Sequence, residues 1–223
     1  MALARAARPI RPLRPVRAVK LHQILPSLLY CPHEGEEFHE MNRLFAVLLG
    51  STLLAAPAAF GAEPMTVAKL YDGQLSGIEH ELVPLAEAMP ADKFDFAPTA
   101  GEFKGVRTFA QQCKHVATVL YLVSATALEQ KPPVDLGAGE NGPDSVKTKD
   151  QVVKFLKDAF AYAHKATLSL TAKNELDMVK SPFGQGEMAR GTLGGLLTWH
   201  SFDHYGQMVV YARMNGIIPP ASR

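Results

Sequence analysis

Residues 192–214 read Thr-Leu-Gly-Gly-Leu-Leu-Thr-Trp-His-Ser-Phe-Asp-His-Tyr-Gly-Gln-Met-Val-Val-Tyr-Ala-Arg-Met. Apolar side chains recur every three or four residues along this stretch, and His200 and His204 stand four positions apart within it. This spacing predicts one amphipathic helix from Thr192 to Met214, ended by Gly216 and stopped by Pro219-Pro220. Both imidazoles fall on the apolar stripe, so we expect them to lie side by side and to face the interior.

Three further stretches have the same helical period. Val67–Met89 predicts an amphipathic helix closed by Pro90, and about Val106–Glu129 predicts a central helix that is apolar on nearly every side. Thr148, with Gln151 three residues later, predicts a capping box that opens a helix at about Lys149–Leu170. Segment 131–143 is rich in Pro and Gly and is predicted to be a linker or a lid. These elements predict an all-α fold, a four-helix bundle with long crossover connections.

Composition limits the class of protein. The chain has 223 residues, of which 47% are hydrophobic, and this excludes a disordered, collagen-like or polytopic membrane protein. Lys and Arg number 23 and Asp and Glu 22, so the net charge of +1 gives no electrostatic basis for a nucleic-acid partner. The two cysteines, Cys31 and Cys113, lie on opposite sides of a boundary near residue 62, which excludes a disulfide framework in the folded part. Cys113 is predicted to be a buried, inert thiol.

The first 62 residues are predicted to lie outside the folded domain. Residues 41–62 begin with Met-Asn-Arg, continue as an apolar stretch and end in small residues, which is typical of a secretory signal peptide cleaved near Ala58 to Ala62. An uncleaved N-terminal anchor is the alternative. Residues 1–40, rich in Arg and Pro, are predicted to be a leader upstream of a true start at Met41, or else a disordered basic arm. The expected domain is 63–223, located in the periplasm or secreted, without a stable membrane anchor.

The histidines predict a metal site. Two adjacent buried imidazoles lack a partner and would repel each other when protonated, and a metal ion resolves both problems. For the pair alone, metal ligands and satisfied core histidines remain equally open. His115 interrupts the most apolar helix and is the candidate third ligand, because three histidines from two helices leave coordination positions open. His80 and His164 are predicted to be solvated or rim residues.

Several motifs resemble those of one family of proteins. They are Phe-Ala-Pro-Thr-Ala-Gly-Glu-Phe at 96–103, Phe-Ala-Gln-Gln-Cys-Lys-His-Val-Ala at 109–117, Ser-Pro-Phe-Gly at 181–184, and His-Ser-Phe-Asp-His-Tyr-Gly-Gln at 200–207 with the block 210–220 that follows. With them, the chain from Val67 to the C-terminus resembles the DinB-like (DinB/YfiT) four-helix metalloproteins. The final block is the most specific part of the resemblance.

The resemblance implies a divalent metal, most often nickel or zinc, held by His115, His200 and His204, and it implies a bundle that often forms a homodimer. The family often has His-His-Arg-Gly-Gln where this chain has Asp-His-Tyr-Gly-Gln at 203–207. The ligand His204 is therefore kept, while a second histidine and an arginine are absent. The resemblance implies a fold and a metal more firmly than it implies a reaction.

Three hypotheses for the function follow. The first is an exported metal-dependent enzyme, a hydrolase or a small-molecule transferase, acting on an unidentified small molecule. Its catalytic residues are not identified by the sequence; Asp203 and Gln207 are the nearest candidates for a general base, and either is equally expected to support a ligand or to pack. The second is a non-catalytic module that holds a metal and binds a partner. The third is a helical bundle with no metal.

Overall fold

The computed structural model describes residues 63–223, and the predicted signal peptide and the segment before it lie outside the described residues. Four helices account for most of the described chain: α1 Val67–Ala88, α2 Phe109–Ala127, α3 Lys149–Leu168 and α4 Arg190–Met214. Two short strands, β1 Met178–Lys180 and β2 Glu187–Ala189, and two 3-10 turns, Ala91–Lys93 and Pro220–Ser222, complete the elements. The prediction of an all-α fold with four helices is confirmed.

The helices pack in a cyclic order that differs from their order in the chain. Helix α1 packs against α3 and α4, and helix α2 packs against the same two. Helices α1 and α2 therefore occupy opposite corners of the bundle. The connections 89–108, 128–148 and 169–189 are long enough to cross between corners, as the predicted crossover topology requires.

Two capping boxes define where α2 and α3 begin. Thr148 and Gln151 exchange side-chain and backbone hydrogen bonds at the start of α3, as predicted. Thr108 and Gln111 do the same at the start of α2, which therefore begins at Phe109, three residues later than the periodicity predicts. The apolar periodicity continues upstream of Phe109, into the preceding loop. The hydrogen bonds of the capping box nevertheless make Phe109 the first residue of the helix.

Helix α2 lies at the centre of the core, as its apolar sequence predicts. Its buried apolar side chains contact those of α1, α3 and α4 in one cluster, which includes Leu75, Ile78, Leu82, Phe109, Val116, Leu120, Leu156, Phe160, Leu193 and Leu197. Cys113 is fully buried in this cluster, and burial raises the pKa of its thiol. The prediction of a buried cysteine is confirmed, and the raised pKa agrees with an unreactive thiol.

Helix α4 is held close to its neighbours. A Cβ atom at Gly194 would lie 2.6 Å from Cδ1 of Leu170, so glycine allows α4 to approach this close. The guanidinium group of Arg190 donates to the carbonyl oxygen of Ala127 and pairs with Glu129 at 2.8 Å, which ties the start of α4 to the end of α2. Helix α4 begins at Arg190, two residues before the predicted Thr192, and ends at Met214 as predicted.

A small antiparallel hairpin precedes α4 and was not predicted from the sequence. Strands β1 and β2 pair with Val179 opposite Met188, and the turn between them contains Gly184 and Gly186, both with positive φ. Strands of three residues are too short to produce a recognisable alternation. The hairpin carries Phe183 at its tip.

None of the described helices is both long and apolar enough to cross a membrane.

Candidate metal centre

The structure brings the three predicted ligands together. His115 comes from the middle of α2, and His200 and His204 come from successive turns of α4. The Nε2 atom of His200 lies 3.2 Å from Nε2 of His115 and 3.2 Å from Nε2 of His204. One nitrogen from each ring lies within 4.8 Å of the other two. His115 and His204 are buried and His200 is half-buried.

Hydrogen bonds on the far sides of two rings determine their tautomers. Nδ1 of His115 lies 2.7 Å from the carbonyl oxygen of Glu140, and Nδ1 of His204 lies 2.6 Å from Oε1 of Gln112. Because both partners are acceptors, each Nδ1 carries a proton and each neutral ring has a lone pair at Nε2. A proton on Nε2 of His200 can be donated to Nε2 of His115 or to Nε2 of His204, but not to both. One of these two lone pairs is therefore left without a donor.

This donor set fits a divalent transition metal. Bonds of about 2.0–2.1 Å to imidazole nitrogens place two ligand atoms about 3.3 Å apart around a tetrahedral ion and about 2.9 Å apart around an octahedral one. The observed separations of 3.2 Å fall between these values. Three imidazoles suit zinc, nickel, copper or iron and leave at least one coordination position for another ligand.

The site favours neutral imidazoles. Burial lowers the pKa of His200 to about 4, with further lowering by the charges of His204 and His115. Burial also lowers the pKa of His204 to about 4, assisted by His115 and Arg107. The pKa of His115 is lowered in the same direction, again chiefly by burial. Ligands that stay neutral at physiological pH are ready to bind a cation without first losing a proton.

Polar side chains on α2 and α4 support His204. Gln112, which is 2% exposed, accepts from Nδ1 of His204 and donates through Nε2 to Oε1 of Gln207 at 3.0 Å. Gln207 in turn donates to Asp203 at 3.2 Å. Asp203 and Gln207, the sequence candidates for a general base, are exposed, and Gln207 reaches a ligand only through Gln112. The arrangement gives Gln207 a supporting position.

The predicted linker or lid supports His115. Its Glu140 carbonyl oxygen accepts from His115, and its Glu140 side chain pairs with Arg107 at 2.8 Å. Nε of Arg107 also donates to Asn141 at 2.7 Å. Arg107 therefore holds this part of the loop against the start of α2, beside the ligand.

A cavity of about 530 Å³ opens beside two of the three ligands. His115 and His200 form part of its wall, and Asp203, His204 and Gln207 do not line it. Its other lining residues come from α2, the loop 136–140 and the hairpin tip: Thr118, Val119, Leu122, Leu136, Gly137, Ala138, Gly139, Glu140 and Phe183. The site is therefore accessible to a small molecule from one side.

The two remaining histidines of the described chain lie away from this centre. His80 is exposed, as predicted, and its Nδ1 bonds the carbonyl oxygen of Ser76. His164 is half-buried between α1 and α3, where its two nitrogens lie 2.7 Å from Asp72 and 2.9 Å from Glu79. His164 therefore fits the rim position of the prediction rather than a solvated one, and its two carboxylate partners were not predicted because both come from a helix far away in the sequence.

Sequence reasoning also missed the role of Gln112. The residue lies three positions before His115 on α2, so both side chains project from neighbouring turns of one face. A buried amide next to a candidate ligand is a signal that the sequence contained. Its partner His204 was not identifiable, because nothing in the sequence determines the register of α2 against α4.

Comparison with known proteins agrees with this description of the fold. The sequence profile of the DinB superfamily matches residues 74–208. The chain belongs to the DinB superfamily. A solved structure with a similar fold is a DinB-like protein from Bacillus cereus ATCC 10987, with a TM-score of 0.55 and 12% sequence identity over 67% of this chain and 93% of that chain. No curated protein matches the chain.

Proposed function

We propose that this protein is a divalent-metal-dependent enzyme, a hydrolase or a small-molecule transferase, whose metal is held by His115, His200 and His204. The observation that carries the proposal is the position of the histidine cluster at the wall of a cavity. Three converging Nε2 atoms leave a coordination position, and two of the three rings border a space that a small molecule can enter.

The chain's own residues would hold and orient the site. Gln112 and the Glu140 carbonyl oxygen keep His204 and His115 in the tautomer that presents Nε2. A divalent ion bound there supplies Lewis acidity that polarises a carbonyl or phosphoryl oxygen. Nickel and zinc are the metals we propose, because the family resemblance implies them and three imidazoles suit both.

The first test is metal content. The protein is purified without a histidine tag and without chelators, and its metals are measured by mass spectrometry beside a His200→Ala/His204→Ala double variant. We expect close to one nickel or zinc ion per chain in the wild type and a small fraction of that in the variant. Wild-type protein without metal, which also fails to take up zinc or nickel on titration, would overturn the proposal.

A non-catalytic module that holds a metal is the alternative, and an open coordination position separates the two. The cobalt-loaded protein is titrated with azide and followed by visible absorption. A change in the d–d bands at millimolar azide supports an accessible position, as an enzyme requires. A spectrum that does not respond favours the module, because a closed site has no position for a substrate.

We also propose that the mature protein is exported and forms a homodimer. The pattern of residues 41–62 supports export, and mass spectrometry of the mature protein from the periplasmic fraction tests it; an N-terminus within 1–40 would contradict it.

Exposed apolar side chains on one face of α4, namely Trp199, Phe202, Val210 and Met214, support self-association. Light scattering of the wild type and of Phe202→Glu tests the dimer, which we expect the variant to weaken.

A further inference from the structure

The cavity beside the histidines indicates what kind of molecule the site accepts. We infer that its substrate is a small molecule with an apolar body, such as an acyl or aryl group, and a single oxygen-bearing head that reaches the metal. This inference rests on the proposed function, since the head is anchored by the ion that the histidines hold. It adds a substrate class that the metal site alone does not specify.

The position of the ligands in the cavity determines where the head lies. Of the three histidines, only His115 and His200 line the cavity. A ligand atom that completes the coordination sphere therefore enters from this cavity, and the remainder of the molecule extends along the wall. A volume of about 530 Å³ lies within the range of sites for small molecules, roughly 300–1,000 Å³.

The chemistry of the wall determines the body of the substrate. Val119 and Leu122 from α2 and Leu136 from the loop supply aliphatic surface, and Phe183 extends it at the hairpin tip. No lysine or arginine is among the lining residues of this cavity, all of which belong to the described part of the chain. A negatively charged body would therefore lose its hydration and find no cation in return.

The two polar side chains of the wall other than the histidines each have a partner. The hydroxyl of Thr118 donates to the carbonyl oxygen of Lys114 at 2.8 Å, and the Glu140 carboxylate pairs with Arg107, which does not line the cavity. A sugar or a peptide would bury many donors and acceptors here, and most would lack partners. An apolar body has no such requirement and releases water from the aliphatic wall.

A neighbouring polar cavity does not serve the same purpose. It is also about 530 Å³ and is lined by Arg107, Gln111, Gln112, Asn141 and Gln207 among others, but by none of the three histidines. Its polar groups bond one another, as in the Gln112–Gln207 and Arg107–Asn141 pairs. A hydrophilic substrate would fit that cavity better and would lie away from the metal-binding nitrogens.

Hydroxamates test the inference, because their head binds metal ions and their tail can be varied. Acetohydroxamate, butyrohydroxamate and hexanohydroxamate are titrated by calorimetry into zinc-loaded protein of measured metal content, with succinic monohydroxamate as the probe that has a charged tail. Each added methylene that is buried contributes about 0.8 kcal/mol, or about fourfold in affinity. We expect hexanohydroxamate to bind at least about tenfold more tightly than acetohydroxamate, and the charged tail to give no gain.

Two variants of the cavity wall test where the alkyl tail of the hydroxamate binds. Leu122→Asn and Leu136→Asn place an amide in the wall, one on a helix and one on a loop, so that the second remains usable when the first does not fold. Each is expected to reduce the gain from the longer tail, measured as the ratio of the affinities for hexanohydroxamate and acetohydroxamate. Leu70→Asn, on the exposed surface of α1, is the matched control and should retain the full gain.

The outcomes separate this inference from the proposed function. Protein that takes up no metal overturns the proposed function and the inference together. Metal-loaded protein that binds all four hydroxamates equally, prefers the charged tail or binds none of them overturns the inference while the metal site stands. The inference would also be overturned if affinity rises with tail length but neither wall variant reduces this rise, because the tail would then bind outside the cavity.

Discussion

The Oε1 atom of Gln112 lies 2.6 Å from Nδ1 of His204, although the two residues are 92 positions apart in the chain. This contact joins α2 to α4 at the metal centre and sets which nitrogen of His204 faces its two neighbours. A hydrogen bond of this kind on the far side of a ligand orients the ring and raises its basicity. The DinB-like site of this protein therefore includes an amide that the three histidines alone do not describe.

Gln112 should control metal affinity. We expect Gln112→Leu to weaken zinc binding by about 10–100-fold, because Nδ1 of His204 then loses its acceptor. Gln112→Glu should keep or increase the affinity, because a carboxylate also accepts this proton. Competition with a chromophoric chelator measures both variants, and Gln74→Leu, at an exposed position of α1, is the control. Equal affinity of Gln112→Leu and the wild type would remove Gln112 from the site.

Single substitutions should divide the histidines of the described chain into two groups. His115→Ala, His200→Ala and His204→Ala each remove one of the converging nitrogens and should lower metal occupancy at sub-stoichiometric free zinc. His80→Ala should leave occupancy unchanged, and His164→Ala should do so as well, since both residues lie outside the cluster. Metal analysis after gel filtration is the measurement. Loss of metal in His164→Ala together with retention in His115→Ala would mean that the third ligand is misassigned.

His164 should stabilise the fold in a pH-dependent way. Burial alone lowers its pKa, but the hydrogen bonds and charges of Asp72 and Glu79 outweigh this effect, so the pKa is raised above 6.5. A raised pKa in the folded state means that the stabilisation is full below the pKa of the unfolded chain and is lost as pH rises through the folded pKa.

The contribution of His164 to the free energy of unfolding is measured by urea unfolding of metal-free protein at pH 5.5 and pH 9. We expect His164→Gln to lower the free energy of unfolding by about 2 kcal/mol at pH 5.5, and by distinctly less at pH 9, where the imidazole is neutral. His80→Gln, at an exposed position, is the control. A decrease in the free energy of unfolding that is the same at both pH values would show that the protonated form of His164 does not add to the stability of the fold.

Acid should release the metal. Free imidazole titrates near 6.5, but the lowered pKa values of His200 and His204, about 4 in the metal-free site, delay competition by protons. Occupancy should therefore stay close to full at roughly pH 6, where free imidazole already takes up protons, and fall steeply towards pH 4. Metal content after rapid desalting at each pH is the measurement. Full occupancy at pH 4 would indicate ligands other than imidazoles.

Metal-free protein should remain helical while it becomes less stable in acid. His200 and His204 stay neutral in the folded state down to about pH 4, whereas the same residues take up protons near 6.5 when unfolded. The unfolded state then binds more protons, so the free energy of unfolding decreases as pH falls from 6.5 to 4. Helical circular dichroism of the metal-free protein at pH 7.5 should match that of the loaded protein, because the apolar core does not depend on the ion. Loss of helicity in step with the metal would make the ion structural and favour the non-catalytic module.

Local pattern was sufficient for the four helices and for the capping box at the start of α3. The period of 3.6 residues places Leu193, Leu197 and Met208 on the buried face of α4, and the Thr148–Gln151 spacing specifies a cap, because both depend only on residues a few positions apart. The same local logic identified His200 and His204 as a pair. His115 is the candidate third ligand because it interrupts the most apolar helix, and the family resemblance implies the same three ligands and the same fold.

Tertiary structure alone decided what lies between the helices. The register of α2 against α4 brings His115 to His200 and Gln112 to His204, and the packing of α1 on α3 places Asp72 and Glu79 on either side of His164. The loop 136–140 and the tip of the hairpin close an apolar cavity over two ligands. None of these contacts is encoded in a sequence period, because each depends on how faces of distant segments fit together when the whole core packs.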